Sequence, residues 1–108
     1  AWKTMPHERQ RLIDLIDTSS SDSVLFISGD RHRGGLYQLT SSSGKNIVEM
    51  TSSSLNLSFT NDEEAGPLRV GPTFVQENYG EILLNKLTNK LTVNLKDNQG
   101  SIVQSVDL

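Results

Sequence analysis

The chain has no cysteine, which removes disulfides, thiolate metal sites and cysteine nucleophiles together. That absence leaves the compartment open, because cysteine-free proteins occur on both sides of a membrane. No apolar run approaches the roughly 20 residues a helix needs to span a bilayer. Positive charge is not in excess either: 10 Lys and Arg stand against 13 Asp and Glu, a net charge of −3. This balance gives no electrostatic reason to expect nucleic acid or an acidic membrane as a partner. Residues Ala1 to Pro6 lack the charged and apolar regions of a signal peptide. The chain opens almost at a helix and stops at Leu108 inside an apolar strand pattern, so both ends read as cuts in a longer chain. No internal repeat is visible, and the serine clusters are too short to make low-complexity segments.

What is present suits one domain over residues 1–108, since 34% of the residues are hydrophobic and they cluster into segments. Pro6 opens a stretch of helix formers, at a position where its missing N–H costs nothing. Leu12, Ile13, Leu15 and Ile16 form its apolar face, and Glu8, Arg9 and Arg11 its solvated one. The helix is predicted to end near Asp17 or Thr18, before the polar run to Asp22. Val24-Leu25-Phe26-Ile27 is continuously apolar and predicts a strand buried on both faces, as at the centre of a layered sheet. Extended structure resumes at Leu36 to Thr40, turns over Ser41 to Lys45, and returns at Asn46 to Thr51 with Val48 and Met50 on one face. Ser52 to Phe59 is open between a loop and a short helical turn. Asn61 to Pro72, rich in Gly, Pro and acidic residues, reads as an exposed loop. From Gly80 the pattern is a three-strand meander in which Leu91, Val93 and Leu95 alternate with Thr92, Asn94 and Lys96. Its turns fall at Thr88 to Lys90 and at Asp97 to Gly100. The fold class is therefore α+β: an amino-terminal helix, a buried strand leading into a Gly-rich loop, and a mostly antiparallel carboxy-terminal meander.

Chemistry concentrates in the loop Gly29-Asp30-Arg31-His32. The end of a rigid strand places ligands more precisely than a free loop does, and Gly29 lets the backbone turn without a side-chain clash. Asp30 offers a hard oxygen donor and His32 a borderline nitrogen donor, a mixture suited to iron, zinc or manganese. Arg31 and Arg33 flank the pair, and a guanidinium there could pair with phosphate oxygens. Against this, an Asp in a Gly-containing loop is usually a turn residue bonding its own backbone, and a lone His is usually just partly buried.

The other motifs fall short. Ser43-Gly44-Lys45 resembles the end of a phosphate-binding P-loop, but Leu39 stands where its first Gly belongs and Asn46 where Ser or Thr should be. Ser52, Ser53 and Ser54 lack the Gly-x-Ser-x-Gly elbow of a serine hydrolase. Asn61-Asp62-Glu63-Glu64 could attract calcium but lacks the spacing and Gly of an EF-hand loop, so a solvated acidic loop is the better reading. Asn56-Leu57-Ser58 fits a glycosylation sequon, a pattern mostly accidental at that length. His7 reads as a surface residue, and Trp2 and Tyr79 as packing residues, with Trp2 exposed if its cover is missing.

The run Phe26-Ile27-Ser28-Gly29-Asp30-Arg31-His32 resembles the last metal-binding motif of PhoD-like alkaline phosphatases, a strand followed by Gly-Asp-x-His. Three further segments resemble the same family in the same order: Met5 to Leu12, Glu49 to Leu55, and Glu77-Asn78-Tyr79-Gly80. Four ordered matches are more specific than any one. The resemblance implies phosphate ester hydrolysis on an α/β/β/α sandwich of two sheets flanked by helices, of which this chain would be the carboxy-terminal portion. It implies divalent or trivalent metal ions (iron, calcium, zinc or manganese), with Asp30 and His32 as ligands. His32 and Arg31 would act in catalysis, and Arg31 and Arg33 would contact the phosphate. The family's other ligands lie amino-terminal to this region, so the missing segments are the implied partner and the chain alone is expected to be inactive. The family often works outside the cytoplasm, which implies a periplasmic or secreted parent. Without those segments, strand Val24 to Ile27 would sit at an edge and invite self-association. The competing reading is a non-enzymatic β-rich binding module with a self-contained core, in which Asp30 and His32 make ordinary hydrogen bonds.

Overall fold

The computed structural model describes residues 2–61 and 66–108; Asp62, Glu63 and Glu64 of the acidic run lie outside them. A 3₁₀ turn, Trp2–Thr4, leads into helix α1, Pro6–Thr18, with Pro6 at the start and the end where the polar run begins. Seven strands follow: β1 Ser23–Ser28, β2 Gly34–Thr40, β3 Asn46–Ser52, β4 Arg69–Phe74, β5 Asn78–Asn85, β6 Lys90–Asp97 and β7 Ile102–Asp107. They form two mostly antiparallel sheets, a larger one in the order β1-β3-β2-β4 and the meander β5-β6-β7. The fold is thus α+β with a carboxy-terminal meander. No described helix is long and apolar enough to cross a membrane.

The core lies between the two sheets. Leu36, Val48 and Met50 of the larger sheet meet Val93, Leu95 and Val106 of the meander, and all six are buried. Pleating sends every second side chain to one face. Register therefore sorts β3 cleanly: Val48 and Met50 face the meander while Ile47, Glu49 and Thr51 face outward with Tyr37 and Leu39 of β2. Helix α1 lies over that outer face, across a cleft of about 910 Å³ lined by Leu12, Ile16, Phe26, Leu39, Ile47 and Glu49. Among the described residues no helix covers the outer face of the meander. Close approach at Gly34 sets the fit of the two sheets, because a Cβ there would stand 2.8 Å from both methyls of Leu95.

Four expectations from the sequence need correction. Strand β1 is not buried on both faces: among the described residues β3 is its one neighbour, the edge position expected of this chain alone, and Ile27 is 65% exposed. Its apolar composition describes a strand with more than one neighbour, which the described chain does not provide. The stretch Asn61 to Pro72 is not loop throughout, because β4 begins at Arg69. Gly71 and Pro72 read as breakers, yet an edge strand tolerates a residue without an N–H, and Gly71 takes a φ of +72° there. Asn94, expected on a solvated face, is 1% exposed: it sits on the central strand and is covered by its partners Glu81 and Ser105. Leu15 is 66% exposed, so the apolar face of α1 narrows to Leu12, Ile13 and Ile16. Trp2 is half exposed and His7 lies at the surface.

Candidate metal centre

The topology explains why the loop after β1 is unusual. Strands β1 and β2 are consecutive in the chain but not adjacent in the sheet, because β3 lies between them, parallel to β1 and antiparallel to β2. Residues 29–33 must therefore arch across one strand position, about 10 Å from β1 to β2 at ordinary strand spacing. The arch passes over the carboxy end of β3, where Gly29 backs onto the Ser52 carbonyl and Ser53. To make this short bridge, Asp30 (φ 63°) and His32 (φ 52°) both take the left-handed conformation. Asp and His are among the few side chains that accept it with any frequency, and each departure costs on the order of 1–2 kcal/mol. Their spacing in the sequence thus serves the backbone as well as any ligand.

His32 is held by three contacts. Its Nδ1 lies 2.9 Å from the Leu57 carbonyl, its ring stacks on Phe59 at a centroid distance of 4.4 Å, and its own carbonyl accepts the Phe59 N–H at 2.9 Å. A carbonyl can only accept, so the hydrogen bond assigns the proton to Nδ1 and leaves the Nε2 lone pair of the neutral ring uncommitted. This is the pattern in which a backbone carbonyl orients a ligating imidazole. The strap that supplies Leu57, residues 53–61 between β3 and β4, is itself fixed. Asn78, 1% exposed at the start of β5, donates from Nδ2 to the Ser53 carbonyl at 2.8 Å and from its backbone to the Ser54 carbonyl at 3.1 Å.

Asp30 is exposed, and among the described residues no hydrogen bond engages its carboxylate. Arg31 and Arg33 line the cleft beside α1. The Arg33 guanidinium binds main chain: Nε donates to the Arg31 carbonyl at 3.2 Å and an Nη to the Asn61 carbonyl at 2.8 Å. Those contacts tie strap to arch, so Arg33 has a holding role whatever else it contacts.

At the foot of the arch lies a polar cluster that sequence reading missed. The Ser28 hydroxyl donates to Glu49 and stands 2.9 Å from the Thr51 hydroxyl, which in turn donates to Glu49 at 2.6 Å. It laces the last residue of β1 to β3 and fixes where the arch departs. One signal was available: Glu49 sits between the core residues Val48 and Met50, so alternation sends a carboxylate to the opposite face.

Two donors from one loop do not make a closed centre, since catalytic zinc sites use three protein ligands. Among the described residues no group of three or more His, Asp or Glu could hold a metal ion. No protein-family model, curated protein or solved structure matches the chain.

Proposed function

We propose that this chain is the carboxy-terminal part of a metal-dependent phosphatase and that Asp30 and His32 are two of its metal ligands. The single observation that supports this most is the imidazole of His32, held at Nδ1 by the Leu57 carbonyl with Nε2 left for a metal. Position supports it too: the arch caps the carboxy ends of two parallel strands, β1 and β3, where α/β sheets commonly place their ligands. In this reading the metal would polarise the phosphate ester and supply a hydroxide near neutral pH. The chain's own residues do the positioning: Asp30 and His32 hold the ion, Arg31 meets the phosphate oxygens, and Arg33 keeps the strap in place. The remaining ligands come from segments outside this chain, and the chain alone is inactive.

The alternative, a non-enzymatic binding module, is favoured by one specific observation. His32 is satisfied by ordinary contacts, and the core between the sheets closes without any partner. Calorimetric titration of the chelated chain with zinc, manganese and ferrous iron separates the two. The expected result is weak binding, with Kd on the order of 10–100 µM for a two-ligand site, abolished in the Asp30→Ala/His32→Ala double variant. Equal heats in wild type and double variant would sink the metal reading and leave the binding module.

A further inference from the structure

A sheet edge presents unpaired N–H and C=O groups, and folded proteins normally guard it with charge, proline or a bulge. Three of the four edges here are guarded. Strand β4 carries Arg69, Gly71 and Pro72 and pairs irregularly with β2. Strand β5 carries Glu81, and β7 has a bulge opposite Leu95/Lys96 and closes in Asp107. Strand β1, Ser-Val-Leu-Phe-Ile-Ser, has none of these devices. Ile27 faces the same side as the buried Met50 but lies beyond the meander's reach and is 65% exposed.

We propose that the free edge of β1 pairs antiparallel with β1 of a second copy of this chain, around a two-fold axis at Phe26. The register follows from the pleat. Residues opposite one another in an antiparallel pair share a face, and a two-fold axis normal to the sheet keeps each side chain on its face. The axis must therefore pass through a residue position, not between two. An axis at Leu25 sets Ile27 against the partner's Ser23. An axis at Phe26 sets Ile27 against the partner's Leu25 and Phe26 against the partner's Phe26, so apolar meets apolar and the exposed Ile27 is covered. Nothing charged lies within the paired stretch. Beyond it the register sets each copy's Asp22 level with the other's Asp30, outside the paired stretch, where the arch turns away from the free edge over β3. The pairing adds about four to six main-chain hydrogen bonds and makes one continuous sheet across the two copies. Five residues a side fall short of the roughly 800 Å² per partner of a standard interface, so the dimer is weak and depends on concentration. It involves no metal, and its test reads mass rather than metal binding, so its failure leaves the metal reading standing.

Sedimentation equilibrium from about 10 µM to about 1 mM spans the range in which such a dimer forms. The apparent mass should climb from 11.9 kDa toward twice that value. Ile27→Lys, at an exposed site, should weaken association at least about tenfold through like charges facing the apolar strand. Leu83→Lys, at a comparably exposed position on β5 (51%), should leave it unchanged. Circular dichroism confirms that each variant is folded, and Ile27→Thr, which keeps a β-branched side chain, replaces Ile27→Lys if that variant unfolds. A wild-type chain that stays monomeric to the highest concentration would overturn the proposal. So would a folded Ile27 variant that dimerises like wild type, or growth into species beyond the dimer.

Discussion

Asp17 shows how a single carboxylate can be held against its surroundings. It sits in the last turn of α1, where the helix dipole opposes negative charge. Yet the hydroxyls of Ser41, Ser42 and Ser43 pull its pKa from 3.8 to about 2, with Ser42 and Ser43 donating at 2.5 and 2.7 Å. A folded-state pKa below the unfolded value means stability that is fully present above 3.8 and lost as pH falls through about 2. Acid titration should therefore show unfolding that steepens across that interval, and Asp17→Asn should flatten it; an unchanged acid limb would refute the role. Glu81 and Lys96 act over a wider span: Asn94 and then Lys96 lower Glu81, and Glu81 raises Lys96. Their contribution is whole between the ordinary carboxylate and ammonium ranges, and fades at both extremes. The sequence located Asp17 at the helix end but not its partners, which lie 25 and 26 residues away. The same holds at the arch. Asp30 and His32 stood out as a motif, whereas Leu57 and Phe59 sit in a segment with no period to read.

The elements themselves depend on one another's ends. Helix α1 finishes without a glycine cap and with no basic residue in its last turn. The Ile16 carbonyl accepts from the Ser19 N–H and hydroxyl, and the β2–β3 turn adds to this: Lys45 Nζ donates to the Ile16 carbonyl at 2.8 Å and to that of Ser19. The Ser-Gly-Lys run that imitates a P-loop in fact braces the end of a helix that Ser19 caps. Lys45→Met removes both the charge and the donors and should cost about 1 kcal/mol. For a chain of this size that lowers the thermal midpoint by about 4–8 °C, readable in the helical circular dichroism band; an unaltered midpoint would place the cap elsewhere. Legibility was uneven at this scale for a physical reason. Strands β3 and β6 and helix α1 set core residues at a regular spacing (Val48 and Met50, Val93 and Leu95, Leu12 and Ile16), so periodicity marks them. Strand β4 is defined by its pairing with β2 rather than by its own composition, and edge status, which decides the burial of β1, is a property of the sheet.

As a whole the described chain is a slab of 40 × 39 × 19 Å, and both sheets draw on the same six buried side chains. They should therefore unfold as one unit. Leu95→Ala, at a fully buried position, is expected to cost about 2–5 kcal/mol, a large share of a typical domain's 5–15 kcal/mol. Urea unfolding followed by Trp2 fluorescence and by far-ultraviolet dichroism should give coincident transitions in wild type and variant. Separated transitions would show that the chain does not unfold as one unit. The arch over β3 also fixes an order of events. A slot between two strands cannot be filled before its walls exist, yet β1 has nothing to pair with until β3 is present. Of the pairings within the larger sheet, the local β2–β3 hairpin, joined by a turn of five residues, carries the smallest loop-closure cost. It forms first and offers its far side as the template. Strand β1, earliest of the seven in the chain, is then the last of these three to settle, when the arch closes over a sheet already half built.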